Sequence, residues 1–599
     1  MTLVMLVLAQ AGCLLVLAAT AWAAGWATWG RGAPERLAHP LTPCIGLALL
    51  GSVGLLLAEM HLFWFAVILA LVVLVHAVAL PGWWALLATT ARAIRRAPGR
   101  AFVVALLVVF AAAGPFIIAL FPPTAFDETT YHLPFARAFL AGGAMPWVPE
   151  LRVATFPLLG EALQAALLFG WGERGPHQIA LLATLLTTAL LLVWGREADR
   201  TESGWLAAAL FLGSPLVVYL GGTGYVDPLV GLFVTAAFYA LWRFATEART
   251  DVEWLWIGGL LAGAGAAVKY LGLYALPVGA LVLLLRRPPR WHPLSVFAGS
   301  AATTMAIPYG NLLWRTGNPL FPFFSGLFGS SRWDPVLPGV HGLYRDSIVL
   351  LPWNAVFHRE HAGGQPPLSP ALLLGVALLL AAAIAVPRLR VGTLVVAGFF
   401  PVYLYMPVVS RYLVTVLPLW CLLVALAIGW AWQRWRGELL PRRLAALLAL
   451  GVALPGVAYG AFYLEQRSEI PDTPAERVAY LAETHPGYRA LRWLQQRRGS
   501  RYVARCVACE HLHGFATGRL LGEHFGPWAY WRIERPLHDP AALERALRND
   551  GAQYLLLPRA AAAALHGPAA RGRLALLYAD PDYEIWRLEP GPGAPPAGR

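Results

Sequence analysis

Residues 121–140 read FPPTAFDETTYHLPFARAFL. An apolar run at 102–121, long enough to cross a bilayer, ends here. Two carboxylates then follow side by side, Asp127 and Glu128, with Tyr131 and His132 close behind. Ionisable groups near bilayer depth are costly and mark a site or a pathway. The stretch therefore predicts a membrane helix that delivers acids to one face of the bilayer, and the rest of the chain can be searched for groups aimed at that face.

The surroundings are apolar throughout. Of 599 residues, 58% are hydrophobic and 13% are charged, against about 25% charged in a soluble domain. Apolar runs of about 17 residues or more recur along the first three quarters of the chain, each able to cross about 30 Å of hydrocarbon. A polytopic membrane protein follows. The first run, 2–29, carries small residues at signal-peptide spacing, but no Lys or Arg precedes Arg31, so it reads as a retained helix. The net charge of +13 lies mostly in arginines of short loops. Such arginines set topology and meet anionic headgroups, and nucleic-acid binding is not expected.

About fourteen spans are expected, at 2–29, 42–58, 61–81, 102–121, 177–195, 204–220, 225–243, 254–268, 270–285, 294–314, 369–387, 391–409, 411–432 and 442–463. Charge gives a check. With the N-terminus outside, the inner loops carry 19 cations, from Arg31 and Arg36 through the Arg92–Arg100 cluster, Arg249 and Arg286, Arg287 and Arg290 to Arg442 and Arg443. The short outer loops hold Lys269 and Arg411 alone. That asymmetry obeys the positive-inside rule.

Three long outer pieces result. Residues 122–176 contain two amphipathic stretches, HLPFARAFL and PLLGEALQAALLFG, the latter with Leu159, Leu163, Ala166 and Leu167 on one face. Too short to span, they are expected to lie along the interface. Residues 315–368 are rich in Pro, Gly and aromatics, including Trp333, Tyr344, Trp353 and Phe357, and predict a partly re-entrant or interfacial loop. From about 466 the charge rises and a small α/β domain is expected: RYVARCVA and YEIWRL as strands, and between them an Asp539-capped helix stopped at Gly551, followed by a strand. The last residues, 593–599, read as disordered. Cys506 and Cys509 suit either a local disulfide or part of a metal site with nearby histidines. The fold class is thus an all-α polytopic membrane domain with a small C-terminal α/β extracytoplasmic domain. Residues 1–100 form an N-terminal part of about three spans, and 101–465 the core.

Four segments aim ionisable groups at the outer face: Asp127 with Glu128, Asp227 in GGTGYVDPLV, Lys269 in AAVKYLGL and Arg411 in VVSRYLVTVLP. Each has a plainer explanation. Asp127 could cap a helix, Asp227 before Pro228 is an ordinary N-cap, and Arg411 could anchor a helix end. For Lys269, the single lysine in an arginine-rich chain, the plainer explanation is chance. A position that keeps a compact ammonium suits contact with a phosphate. His132 reads as structural or as a partner for an acid, and Glu161 as a helper carboxylate or part of a solvated helix face.

These segments, with FPLLGEALQAALLFGWG and RYLVTVLPLW, resemble the GT-C glycosyltransferases, in the bacterial branch similar to aminoarabinose transferases and protein O-mannosyltransferases. The resemblance covers roughly 100–465. It implies a polyprenyl-phosphate sugar donor, a lipid, glycan or protein acceptor, a bacterial inner membrane and chemistry on the periplasmic side. It gives Asp127, with Glu128 beside it, the role of base or substrate-binding carboxylate. It sets Asp227, Lys269 and Arg411 near the substrates, with Tyr131, His132 and Glu161 as further binding residues. In the family the acidic loop follows the first helix; here about three helices come before it.

Glycosyl transfer needs a leaving phosphate neutralised and an acceptor proton taken. Lys269 and Arg411 suit the first task and Asp127 the second. No cofactor is required on this reading, since cations already stand at the site; a divalent metal (Mg or Mn) on Asp127, Glu128 and Asp227 is the alternative. The rival functions are a transporter or flippase for a lipid-linked glycan, which would more often show internal repeats, and a non-catalytic membrane scaffold.

Overall fold

The computed structural model describes residues 2–246, 252–285, 291–329, 350–467 and 469–590. Among them, seven helices are long and apolar enough to cross a membrane, and nine spans result if each of two bent pairs counts as one. The chain is a multi-pass membrane protein. The seven are Leu3–Thr28, Leu41–Glu59, Ala101–Ala119, His177–Ala198, Asp227–Thr246, Leu417–Arg436 and Arg442–Arg467. Shorter apolar helices occupy Val252–Val268, Tyr270–Leu284 and Pro370–Ala385. Arg249, Arg286, Arg287, Arg290, Trp333, Tyr344 and the terminal 593–599 lie outside the described residues.

Where the sequence suggests one continuous span, proline and glycine break several. The 61–81 run becomes Phe65–Val78 and Leu80–Arg96, bent by 59°, with Pro81 at the start of the second helix. The 204–220 run becomes Thr201–Leu212 and Pro215–Gly221, bent by 74° across Gly213 and Ser214. The 391–409 run divides into Pro387–Ala397 and Phe400–Tyr405. Proline lacks the N–H that would continue the ladder, and the residue before it avoids helical geometry.

The amphipathic stretches of the first long loop do form helices, Leu133–Gly142 and Leu159–Trp171. The expectation that both rest on the bilayer interface is corrected for the second. Leu159, Leu163 and Leu167 are buried, and so are Glu161 and Gln164 on its other side. The helix packs against Leu41–Glu59 and Leu133–Gly142. Its polar residues therefore face other protein, not solvent. The first hundred residues are likewise joined to the bundle: Asn311 Nδ2 donates to Glu59 Oε2 at 2.9 Å.

The tail is an α/β unit. Helix Pro474–Thr484 starts with a capping box formed by Thr473 and Glu476. After helix Tyr488–Arg498 come β1 (Val503–Cys506), β2 (Arg519–Leu521), helix Pro540–Asn549, β3 (Tyr554–Pro558), β4 (Leu574–Ala579) and β5 (Tyr583–Leu588). The sheet order is β2-β1-β3-β5-β4. β1 is parallel to β2 and β3; β5 is antiparallel to β3 and β4. Asp539 caps the helix by accepting from the N–H groups of Ala541 and Ala542, and Gly551 with φ +67° follows its end, as the sequence suggests. Cys506 and Cys509 form a disulfide.

This tail is fastened to the bundle. Arg477 grips Glu173, Arg519 Nε meets Glu150 Oε1 at 2.6 Å, and Trp528 Nε1 donates to the Pro149 carbonyl at 2.6 Å. One apolar cluster runs from Ile118, Phe121 and Val218 in the bundle to Tyr480, Leu491 and Phe515 in the tail.

Candidate active site

The site grows from the opening stretch. The helix Pro98–Ala119 ends, and after the two prolines Pro122 and Pro123 the chain re-enters a wide turn of π type at Glu128–His132. Such turns shift side chains out of ordinary helical register and recur at functional positions. Here the turn sends the two adjacent acids to different partners. Asp127 makes no capping bond; its Oδ2 lies 2.7 Å from Arg411 Nη2 and accepts from the Tyr131 hydroxyl. Glu128 turns the other way, with Oε1 at 2.5 Å from His177 Nε2 and Oε2 accepting from the Ala125 N–H. Gly224 makes room for it: a Cβ there would sit 2.3 Å from Glu128 Oε1.

The second acid–cation pair comes from elsewhere in the chain. Asp227 opens the helix Asp227–Thr246, and both its oxygens lie 3.0 Å from Lys269 Nζ. Lys269 occupies a break: Val252–Val268 ends, Lys269 is extended (φ −157°, ψ 145°), and a tight turn Tyr270–Tyr274 follows. The break frees the lysine from the helix surface and points it inward. Arg411 stacks on Tyr225 and Tyr412 at 4.9 and 5.1 Å, and the Lys269 ammonium sits 5.0 Å from the Tyr412 ring centre. Cation–π contacts of this kind fix a cation without using its donors.

Asp127, Tyr131, His132, Glu161, Lys269 and Arg411 all line one cavity of about 380 Å³. His132 Nδ1 and Glu161 Oε1 are 2.7 Å apart. Glu161 is thus buried and paired, which corrects the solvated-face reading. Asp227 stands behind Lys269, and Glu128 behind the turn; neither is among the lining residues. The walls are otherwise apolar and aromatic, including Phe156, Tyr270, Phe323 and Met406. Burial would raise the Asp127 carboxyl, but Arg411, Lys269, His132 and Arg152 outweigh it and hold the group well below the usual carboxylate range.

Several buried polar atoms on this cavity have no hydrogen-bond partner among the described residues: His132 Nε2, Glu161 Oε2, Arg411 Nε, Gln365 Oε1, and Arg152 Nε and Nη2. Unmet buried donors and acceptors are costly and uncommon in folded proteins. Their gathering on one chamber marks a place prepared for a polar ligand. The metal trio of Asp127, Glu128 and Asp227 does not assemble: each acid pairs with a different side chain, and no group of three or more His, Cys, Asp or Glu suited to a metal occurs among the described residues.

The sequence reading missed Arg152, His177, Tyr225, Tyr412 and the tail residue Phe525. Arg152 and Phe525 are cavity walls. Tyr225 adjoins Val226–Asp227 and Tyr412 adjoins Arg411, so proximity to the chosen ions was the available signal.

Two crystal structures of ArnT from Cupriavidus metallidurans share this architecture. The one bound to undecaprenyl phosphate aligns over 81% of this chain and 96% of its own, with TM-score 0.51 at 16% identity. The apo form gives TM-score 0.52 at 17% identity, over 81% and 98%. The chain has a GT-C fold. A family model described as dolichyl-phosphate-mannose-protein mannosyltransferase matches residues 177–294 of this chain, and one described as SF2091/S2213 matches 476–587. The chain is 33% identical over 191 residues to an undecaprenyl phosphate-alpha-4-amino-4-deoxy-L-arabinose arabinosyl transferase of Edwardsiella ictaluri, and 27% identical over 195 residues to one of Proteus mirabilis. These matches cover 30% and 31% of this chain and 34% and 35% of the relatives, so the chain spans about a third of the length of the curated relatives it matches.

Proposed function

We propose that the protein is a membrane glycosyltransferase that moves a sugar from a polyprenyl-phosphate donor to an acceptor at the periplasmic face of a bacterial inner membrane. The observation that carries this reading is the delivery of Asp127, Lys269 and Arg411, from three distant segments, to one partly apolar cavity. A lipid phosphate has the chemistry such a chamber suits: an anionic head for cations and a hydrocarbon chain for apolar walls. The fold by itself does not supply a function; the relatives named above carry the same substrate class in their names.

Each principal cation is matched by its own acid, Arg411 by Asp127 and Lys269 by Asp227. A phosphate entering near Arg411 competes with Asp127 for that guanidinium. Sharing the cation lifts the Asp127 carboxylate back towards ordinary basicity. Asp127 then accepts a hydrogen bond, and finally the proton, from the acceptor hydroxyl while Tyr131 steadies it. Lys269 and Arg411 stabilise charge on the departing phosphate as the sugar–phosphate bond breaks. A single displacement inverts the anomeric centre. Glu128, paired with His177, holds the turn that presents Asp127. His132 and Glu161 offer Nε2 and Oε2 to sugar hydroxyls. The reaction is proposed to need no metal, because the acids are individually matched by cations. The N-terminus and the tail are assigned to the periplasmic side, in line with the loop charges.

The test is sugar transfer from a defined polyprenyl-phosphate sugar by purified protein, with product mass as the readout, for wild type, Asp127→Asn and Lys269→Ala. Turnover lost in folded variants supports the reading. Movement of the lipid-linked sugar across vesicles without any transfer product overturns it in favour of a carrier.

A further inference from the structure

The cations of the cavity are not alike. Arg411 and Lys269 each have a carboxylate at hydrogen-bond distance. Arg152 also lines the cavity, yet its Nε and Nη2 are buried without an acceptor among the described residues. Its guanidinium rests 5.8 and 5.7 Å from the ring centres of Phe126 and Tyr131, contacts that leave the N–H donors free.

What holds it belongs to the tail. Glu523 follows β2 and is fully buried. Its Oε1 accepts from the Arg152 backbone N–H at 3.3 Å, and its Oε2 lies 3.6 Å from Arg152 Nε, too long for a good hydrogen bond. Glu523 itself is pinned by the main chain: its N–H donates to the Trp528 carbonyl, and its carbonyl accepts from the Tyr530 N–H. Two residues on, Phe525 reaches the cavity wall. The ionisable groups facing Glu523 are Arg152, His513, Glu510 and His524. Burial pushes its carboxyl up to about 8, so near neutral pH it is largely protonated and does little to offset the arginine's charge, on which Asp127 and Glu510 act without a direct hydrogen bond.

We propose that Arg152 is an anion anchor of the cavity, donating to phosphate oxygens of a polyprenyl phosphate, and that Glu523 of the tail is its positioning residue. The nature of the ligand rests on the transferase reading; the anchor rests on geometry. On this account the tail is a working wall of the site.

The experiment uses the full-length protein in detergent micelles and two probes that differ only in the headgroup, undecaprenyl phosphate and undecaprenol. Wild type binds the phosphate more tightly. Arg152→Ala loses about tenfold to a hundredfold of that preference, as expected for a charged hydrogen bond, and Arg152→Lys restores part of it. Glu523→Ala loses less, because the guanidinium remains but is no longer held. In wild type the preference falls between pH 7 and pH 9, as Glu523 ionises and competes for Arg152; Glu523→Gln abolishes that pH dependence. Should Arg152→Ala fail to fold, Arg152→Gln is read in the same way. A phosphate preference within twofold of wild type in the folded Arg152 variant overturns the anchor, as does a wild type with no preference for phosphate. If wild type binds as expected but makes no sugar-transfer product, the anchor stands and the transferase reading fails.

Discussion

Two walls of the cavity are built on opposite electrostatic plans. The bundle wall sets every main charge against a partner: Asp127 against Arg411, Asp227 against Lys269. The wall that the tail completes holds Arg152 beside Glu523 with hydrogen-bonding atoms of both left over. Pairing keeps a bundle wall stable when no ligand is bound, since an uncompensated buried charge is far costlier than a matched one. An unpaired cation costs stability and favours an anion from outside. The difference teaches that charge alone does not identify a binding group; its local balance does.

The strongest way to break the comparison is at Asp127. Asp127→Asn removes the acid of the bundle wall and strands Arg411. Transfer is expected to fall by about 10²–10⁴-fold, read as turnover of a labelled polyprenyl-phosphate sugar. A rate within tenfold of wild type would take Asp127 out of the chemistry. Next comes Lys269→Ala, which leaves Asp227 buried and alone. A loss of about 3–5 kcal/mol is expected from thermal unfolding in detergent. The double change Lys269→Met with Asp227→Leu should recover most of that stability, because a buried ion pair and an apolar pair of similar size are often close in energy. It should not recover transfer. Recovery of both would make the pair purely structural.

The tail wall is tested by pH. The Glu523 carboxyl is raised from its ordinary 4.5 to about 8 in the folded protein. Between those values the folded chain keeps a proton that the unfolded chain has released. The Glu523 contribution to stability is therefore full below about pH 4.5 and declines as pH rises through the window, by at most about 1.4 kcal/mol per unit. Melting curves from pH 5 to pH 8 should show a flatter slope for Glu523→Gln. An identical slope would place the proton elsewhere. The smallest effect is expected at the Cys506–Cys509 disulfide, which is separated by three positions in sequence. In the chain-entropy model so short a loop contributes about 2 kcal/mol or less. Cys506→Ser should shift the melting temperature modestly and leave the cavity's phosphate preference alone.

Much of the bundle wall was legible in the sequence for a simple reason. Asp127, Asp227, Lys269 and Arg411 stand in apolar surroundings, so each is conspicuous, and the alternation of loops placed them on one face. The tail elements were also readable from local chemistry: Asp539 as a cap, Gly551 as a stop, and the alternation of Tyr583–Leu588 as a strand. Arg152 was not. It is one of 45 arginines in the chain, and its worth depends on a carboxyl 371 positions away. Glu161 was misjudged because a polar residue on an amphipathic helix normally meets solvent, and a sequence does not show that His132 will cover it. The divergence of Asp127 and Glu128 was hidden as well, since it is produced by the π-type turn, a backbone feature without a composition signal. Broken spans were hard to read because hydropathy averages over Pro81, Pro215 and Pro401.

At Gly514 in the tail, an added Cβ would lie 2.8 Å from the Thr129 carbonyl oxygen inside the π-type turn, and Arg137 of the following helix donates to the Gly514 carbonyl. Two pieces of backbone so close must be inherited together. Anyone exchanging tails between homologous chains would have to transplant 128–137 and 510–515 as a matched set, and a swap that moves one without the other would arrive with its cavity already misaligned.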